Sequence, residues 1–334
     1  MQVWHQRTGR IAAIAGAGLV AATVLGSALA LAQDQPEKKK LLIYDVQVAG
    51  GNNGFHAYLI RGADQAGKDL GIDVVSIFPD QPDLAQQLQK IEEALVAQPD
   101  GIVINCGLGP DDAYASVLAT AQERGIAMGC SAAPPPGSGA AKTPGDPWLF
   151  RVGSQEDVAG QVTGQRLLEL GATGRVLINQ QQPQDVTCAA RAQGEKDVLE
   201  AAGVTGDIQT GNMDPGQDSA FIVQYLRANP DTTAVTSVCN IPDGMLDAKA
   251  QSGRTDLLLS GYDVVSQALQ AIQDGQQAFT IDQQQYWRGY MPVLLMAHYL
   301  WYGLEEANYF LTGPSVIDKD NVGQVSELVT AGFR

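Results

Sequence analysis

The chain has 334 residues and carries 21 Lys and Arg against 37 Asp and Glu, a net charge of −16. That surplus of anionic side chains argues against a nucleic acid as partner, because gripping its backbone means neutralising phosphates with cations. The length exceeds one small domain and suits two of about 150 residues each.

Taken in chain order, the first segment carries Arg7 and Arg10, then an uncharged run from Ile11 to Ala32 that ends Ala30-Leu31-Ala32 before the polar Gln33-Asp34-Gln35. A basic start, an apolar run and a small-x-small ending predict an export signal over 1–32 and a mature chain from Gln33. The same run is long enough to stay in a bilayer as an anchor, the alternative reading. Cleavage would remove both arginines and take the net charge from −16 to −18. No cysteine lies near the junction to accept a lipid, so the expected location is the periplasm, in soluble form. Export permits disulfides, and Cys106, Cys130, Cys188 and Cys239 allow three pairings. Their wide spacing fits no zinc motif.

After the signal, short β-rich runs alternate with amphipathic segments. Strand Leu41–Val46, helix His56–Leu70, strand Asp73–Phe78 and helix Leu84–Ala97 are followed by strand Gly101–Asn105, helix Asp111–Arg124 and strand Ile126–Cys130. The Pro- and Gly-rich stretch Ala133–Pro147 can continue neither a helix nor an interior strand, so it reads as a connection leading to strand Leu149–Val152. The cycle then restarts with helix Asp157–Leu170, strand Arg175–Asn179, helix Ala190–Ala202, strand Thr205–Thr210 and helix Ser219–Ala228. It continues with strand Ala234–Val238, helix Gly244–Gln251, strand Leu257–Ser260, helix Val264–Asp274 and strand Thr280–Asp282.

A long apolar helix over Gly289–Gly303 closes the series and is expected to pack back on the first half. This alternation predicts an α/β protein of two doubly wound parallel-sheet lobes joined by a multi-strand hinge. The expected division gives one lobe 33–149 plus about 284–311, and the other 150–283 plus about 312–334.

Catalytic and cofactor signals are missing from the sequence. His5, His56 and His298 form no metal-ligand spacing, and there is no G-x-S-x-G elbow, P-loop or dinucleotide fingerprint beyond the fragment Gly107-Leu108-Gly109-Pro110. The expectation is therefore no catalytic residue, no metal and no cofactor.

In series along Lys40 to Asn321 stand Asn53-Gly54-Phe55-His56, Gly62-Ala63-Asp64-Gln65-Ala66, Asp100-Gly101-Ile102-Val103-Ile104, Ala121-Gln122-Glu123-Arg124-Gly125-Ile126 and Val152-Gly153-Ser154-Gln155. The second half continues with Ala190-Arg191-Ala192-Gln193-Gly194, Gly261-Tyr262-Asp263 and Thr280-Ile281-Asp282-Gln283-Gln284. In these motifs the chain resembles the type I periplasmic binding proteins related to ribose- and galactose-binding proteins. The resemblance implies two lobes closing over a monosaccharide-like ligand or polyol, delivery to an ABC permease in the inner membrane, and a monomer.

It also implies the site. Arg191, at the loop and helix start after Arg175–Asn179, matches the family's binding arginine, whose planar fork can bridge adjacent ligand oxygens. Asp263 matches a carboxylate that accepts ligand hydroxyls, and it could equally cap the following helix. Phe55 matches a stacking aromatic and Asn53 precedes it, although either could serve only the helix start. Gln283 and Gln284 match a Gln pair, one expected in the cleft and one at the hinge. Asn240 has a strand-end position, but Asn240-Ile241-Pro242-Asp243 departs from the usual Asn-Asp.

A further departure is Met128-Gly129-Cys130-Ser131-Ala132-Ala133, where Ser131 stands near the place of an acidic residue in many sugar-binding relatives. That puts a simple ribose or glucose ligand in doubt. A chemosensory, quorum-signal or nucleoside receptor of the same fold is the alternative, and an exported hydrolase a remote one.

Overall fold

Runs of aliphatic and β-branched residues become strands here, each followed by a helix that covers one face of the sheet. The computed structural model describes residues 38–50, 54–239 and 241–334, and the fold below lies within Lys40–Arg334. The expected signal segment, Asn53 and Asn240 lie outside the described residues.

The first sheet contains β1 (Leu42–Val46), β2 (Asp73–Ile77), β3 (Gly101–Ile104) and β4 (Ala127–Cys130), all parallel in the order β2-β1-β3-β4. Alternation with period two sends its side chains to two cores. Ile102 and Ile104 pack with Ile91, Leu95 and Tyr114 on one face, while Ile43 and Val103 pack with Ala63, Met291 and Met296 on the other. The covering helices are α1 (Gly54–Leu70), α2 (Leu84–Val96) and α3 (Ala115–Glu123). Asp83 caps α2 by accepting from the Gln86 N–H at 2.9 Å.

The second sheet runs β12-β10-β9-β8-β6-β7 and is parallel except for β12. Its strands are β6 (Arg175–Gln180), β7 (Thr205–Thr210), β8 (Thr232–Ser237), β9 (Leu258–Tyr262), β10 (Phe279–Asp282) and β12 (Ser315–Asp318). Helices α4 (Glu156–Glu169), α5 (Val186–Ala201), α6 (Pro215–Ala228), α7 (Pro242–Ser252) and α8 (Ser266–Gln273) accompany them. Val176 and Ile178 face one core, and Leu177 and Val235 face another. The α/β class with parallel sheets is as the sequence predicts.

Helix α9 (Gln285–Tyr302) returns to the first sheet and crosses α1 at glycines. A Cβ at Gly62 would collide with the Tyr286 carbonyl, and one at Gly289 with the Leu59 carbonyl. The α4–α5 crossing of the other sheet uses the same device, Gly160 against the Arg191 carbonyl and Gly194 against that of Asp157. Three segments link the sheets: 131–154 with the short β5 (Val152–Ser154), the β10–α9 junction, and the return from α9 through β11 (Phe310–Gly313). β5 and β11 pair in parallel. A last helix, α10 (Val322–Ala331), packs by α8, with Val322 and Val325 in a small core beside Leu269 and Ile272.

Several boundaries differ from expectation. Helix α9 starts at Gln285, four residues before Gly289, and α5 starts at Val186 because Asp185 accepts from the N–H groups of Thr187 and Cys188. Strands β11 and β12 and helix α10 were absent from the sequence reading. Of the three cysteine pairings, the structure holds Cys106–Cys130 and Cys188–Cys239.

Candidate ligand-binding site

In both sheets the strand order reverses beside the first strand, between β1 and β3 and between β6 and β8. Loops leaving adjacent strands in opposite directions open a crevice at such a point. A cavity of about 340 Å³ lies there, lined by Val48 after β1, Asn105 after β3, Gln182 after β6, and Cys239 and Ile241 after β8. The carboxyl edges of both sheets therefore meet at one space, into which helices α1, α5 and α9 also send side chains.

Arg191 reaches it from the second turn of α5 and not from the helix start, a correction that follows from the early cap at Asp185. The guanidinium is buried. Its Nε donates to Glu156 Oε2 at 2.7 Å, its Nη1 donates to the Val238 carbonyl at 3.0 Å, and it lies over the Tyr262 ring at 4.3 Å from the centre. Burial opposes the charge, but Glu156 and Asp263 outweigh it and hold the group above its ordinary range. Among the described residues two of its five donors are committed to protein groups.

Asp263 lines the same cavity with φ of 65°. Its Oδ1 accepts from Gln283 Nε2 at 2.6 Å and from Gln285 Nε2 at 3.1 Å. Burial pushes its carboxyl up to about 6, against the pull of Arg191 and the hydrogen bond from Gln283. Phe55, in the first turn of α1, lines the cavity edge-on to His56, at 5.2 Å between ring centres. Gln283 also lines it.

Two expected residues do not. Gln284 turns away, donating to the Thr312 carbonyl at 2.7 Å, and so ties the β10–α9 junction to β11. Ser131 is buried outside the lining, its hydroxyl donating to the Arg288 carbonyl and its own carbonyl accepting from Arg288 Nε and Nη2 at 3.2 and 3.0 Å. The correction has a plain cause. The chain after β4 turns into the segment between the sheets, so Ser131 serves α9 instead of the cavity.

Arg288 itself was missed. It lines the cavity at 7% exposure, lies 5.5 Å from the centre of the Phe55 ring, and donates to Gln283 Oε1 at 3.2 Å. Burial lowers its pKa against the pull of the Glu156 and Asp263 charges. Reading the helix from Gln285 would have exposed it one turn past Gln283–Gln284. His56 was considered only as a metal ligand. It too lines the cavity, and burial together with the Arg288 charge pushes it down to about 4, so it is neutral at pH 7. Among the described residues no group of three or more His, Cys, Asp and Glu side chains could hold a metal ion, and no helix is long and apolar enough to cross a membrane.

Comparison with known proteins gives this geometry a setting. The sequence profile described as periplasmic binding protein domain matches residues 44–303. The xylose/arabinose-binding protein XylF of Sulfolobus acidocaldarius is 30% identical over 162 residues, 46% of this chain and 40% of that protein, so the match spans well under half of the relative. A carbohydrate transporter from Acidothermus cellulolyticus, solved in complex with myo-inositol, superposes with a TM-score of 0.74 at 24% identity, covering 88% of this chain and 100% of the other. A periplasmic ribose ABC transporter from Conexibacter woesei superposes at 0.72 with 21% identity, covering 89% and 98%. At these identities the two structures establish the fold.

Proposed function

The chain belongs to the periplasmic binding protein domain family, and from that premise we propose that it captures a monosaccharide or polyol between its two sheets and delivers it to an ABC importer. The observation that carries this reading is the convergence of Arg191, Arg288, Asp263 and Phe55 on one cavity at both switch points. Guanidinium forks donate to ligand oxygens, a carboxylate accepts from hydroxyls, and an aromatic ring covers the apolar C–H face. A dense set of hydroxyls needs such partners, since each polar group buried unpaired costs about 1–3 kcal/mol. The relative named for xylose and arabinose and the structure holding myo-inositol support the same ligand class.

Each sheet with its helices forms one lobe, and the three linking segments act as the hinge. Ligand contacts made from both lobes stabilise the closed form, and closure follows only from that differential affinity. The closed surface is what a permease in the inner membrane reads. The protein works as a periplasmic monomer, without a cofactor or turnover.

A thermal-unfolding screen of residues 33–334 against D-ribose, D-xylose, L-arabinose, D-galactose, D-allose, myo-inositol and nucleosides tests this. A ligand at about 100 times its Kd adds roughly 2.7 kcal/mol, and at about 2 °C per kcal/mol the midpoint should rise by about 5 °C. A shift with a nucleoside alone would favour a nucleoside receptor. Silence across the panel, with no carbohydrate released on denaturation, would overturn the proposal.

A further inference from the structure

Beside this cavity lies a second one of about 360 Å³, and Gly107, Thr187 and Arg288 line both. They are two chambers of one space, with the Arg288 guanidinium at their border. Their walls differ in chemistry. The first is edged by Asn105, Gln182, Arg191, Asp263 and Gln283, whereas the second is walled by Ala132, Ala133, the run Pro134–Pro136, Val186 and Ala190.

The charged groups around the second chamber are mostly paired with one another or with neighbouring groups. Arg151 pairs with Asp111 and with Asp146, the latter at 2.7 Å, and Glu156 pairs with Arg191 at 2.7 Å. Val186, by contrast, leaves 70% of its surface open at the first turn of α5. An apolar side chain so exposed against a proline wall gains only when another apolar group covers it.

Polar groups still needing partners lie at the border and in the wall of the second chamber. Glu156 Oε1 is buried without a hydrogen-bond partner, although its residue is only 4% exposed. Among the described residues Arg288 commits three of its five donors, to Ser131 and Gln283. One sugar ring fills one chamber, satisfies this border, and gives the second chamber no role. Small-molecule pockets begin at about 300 Å³, so each chamber alone is of ligand size.

We propose that the second chamber is an apolar subsite of the same ligand site and that the ligand is a glycoside. Its polyhydroxyl ring occupies the first chamber, its apolar aglycone lies against Pro134–Pro136, Val186 and Ala190, and the linking oxygen sits where Arg288 donates. The inference rests on the carbohydrate reading of the first chamber and adds the class of substituent the sugar carries.

Calorimetric titration of residues 33–334 with D-xylose, D-glucose and D-galactose, each beside its phenyl α- and β-glycosides, separates the two claims. The expected result is that one phenyl anomer of a sugar that binds does so at least tenfold more tightly than the free sugar. Val186→Asp, at an exposed helix-start position that tolerates a carboxylate, is expected to remove that advantage, while free-sugar titration of the variant reports the first chamber separately. Free sugars binding with both phenyl anomers no tighter would overturn the subsite and leave the carbohydrate reading standing. An advantage that survives Val186→Asp would also overturn it. Silence from free sugars and glycosides alike would overturn both.

Discussion

Asp263 adopts the left-handed conformation at φ of 65°, uncommon outside glycine but tolerated by Asp. Its N–H donates to the Ile281 carbonyl at 2.7 Å, so the strand edge holds the turn and sets the carboxylate against Gln283 and Gln285. With a native pKa of about 6 against 3.8 for the ordinary group, the folded state holds this proton more tightly than the unfolded chain. The group therefore contributes stability to the empty protein at low pH, and that contribution is lost as pH rises from about 4 through about 6. Ligand binding runs the other way, because only the ionised carboxylate is a full acceptor. Affinity should be flat from pH 7 to 8 and fall as pH drops below about 6. Asp263→Asn should bind more weakly at pH 7.5 and lose most of that dependence; calorimetry at pH 5, 6 and 7.5 checks both. Arg191, Asp263, Phe55 and Gln283 were legible because their types and motif positions are local features of the sequence. Arg288 was not, since its role depends on α9 passing behind Ser131, a contact between residues 157 apart.

At the scale of elements, periodicity identified most strands and helices but not where helices begin, because the caps decide that. Asp185 starts α5 one turn before the apolar pattern does, which moves Arg191 from the helix start to its second turn. Strands β11 and β12 are four residues each and only half-buried for the most part, so the sequence offers little alternation to detect. The glycine crossings were not legible either, since nothing local marks Gly160 as the point where α4 meets the α5 backbone. Their consequence is functional. The close approach of α4 to α5 is what brings Glu156 within 2.7 Å of Arg191. Gly160→Ala would drive a methyl into the Arg191 carbonyl. Overpacking of this kind costs about 1–3 kcal/mol, and here it also displaces Arg191, the arginine proposed to hold the ligand. The expected outcome is a lower denaturation midpoint in urea together with at least a tenfold loss of sugar affinity. Gly171→Ala, at a surface turn with φ of 93° and open space around it, should lower stability alone.

Across the whole molecule the two sheets repeat one plan: the same order about the first strand, the same glycine-mediated helix crossing, and a disulfide at the cleft edge of each. Cys106–Cys130 joins the ends of β3 and β4, and Cys188–Cys239 joins the start of α5 to the end of β8. Closing spans of 24 and 51 residues, such bridges contribute about 3–4 kcal/mol each on the chain-entropy account. Each fixes strand-end segments that line the chambers, Cys106 in one and Cys188 with Cys239 in the other. The pairing had to come from the fold, as spacing alone left three choices.

The central claim is that Arg191 holds a sugar in this cavity. Because Arg191 also neutralises buried Glu156, Arg191→Ala would strand a carboxylate and risk about 3–5 kcal/mol of stability. Arg191→Lys keeps the charge and loses the planar fork, and its titration with the monosaccharide that most raises the unfolding midpoint is the most direct measurement. Losing one charge-assisted hydrogen bond, about 1.5–3 kcal/mol, predicts an affinity lower by ten- to a hundredfold in a protein whose unfolding midpoint without sugar stays within a few degrees of the parent. Equal affinity in the folded variant would contradict the account and remove Arg191 from the site.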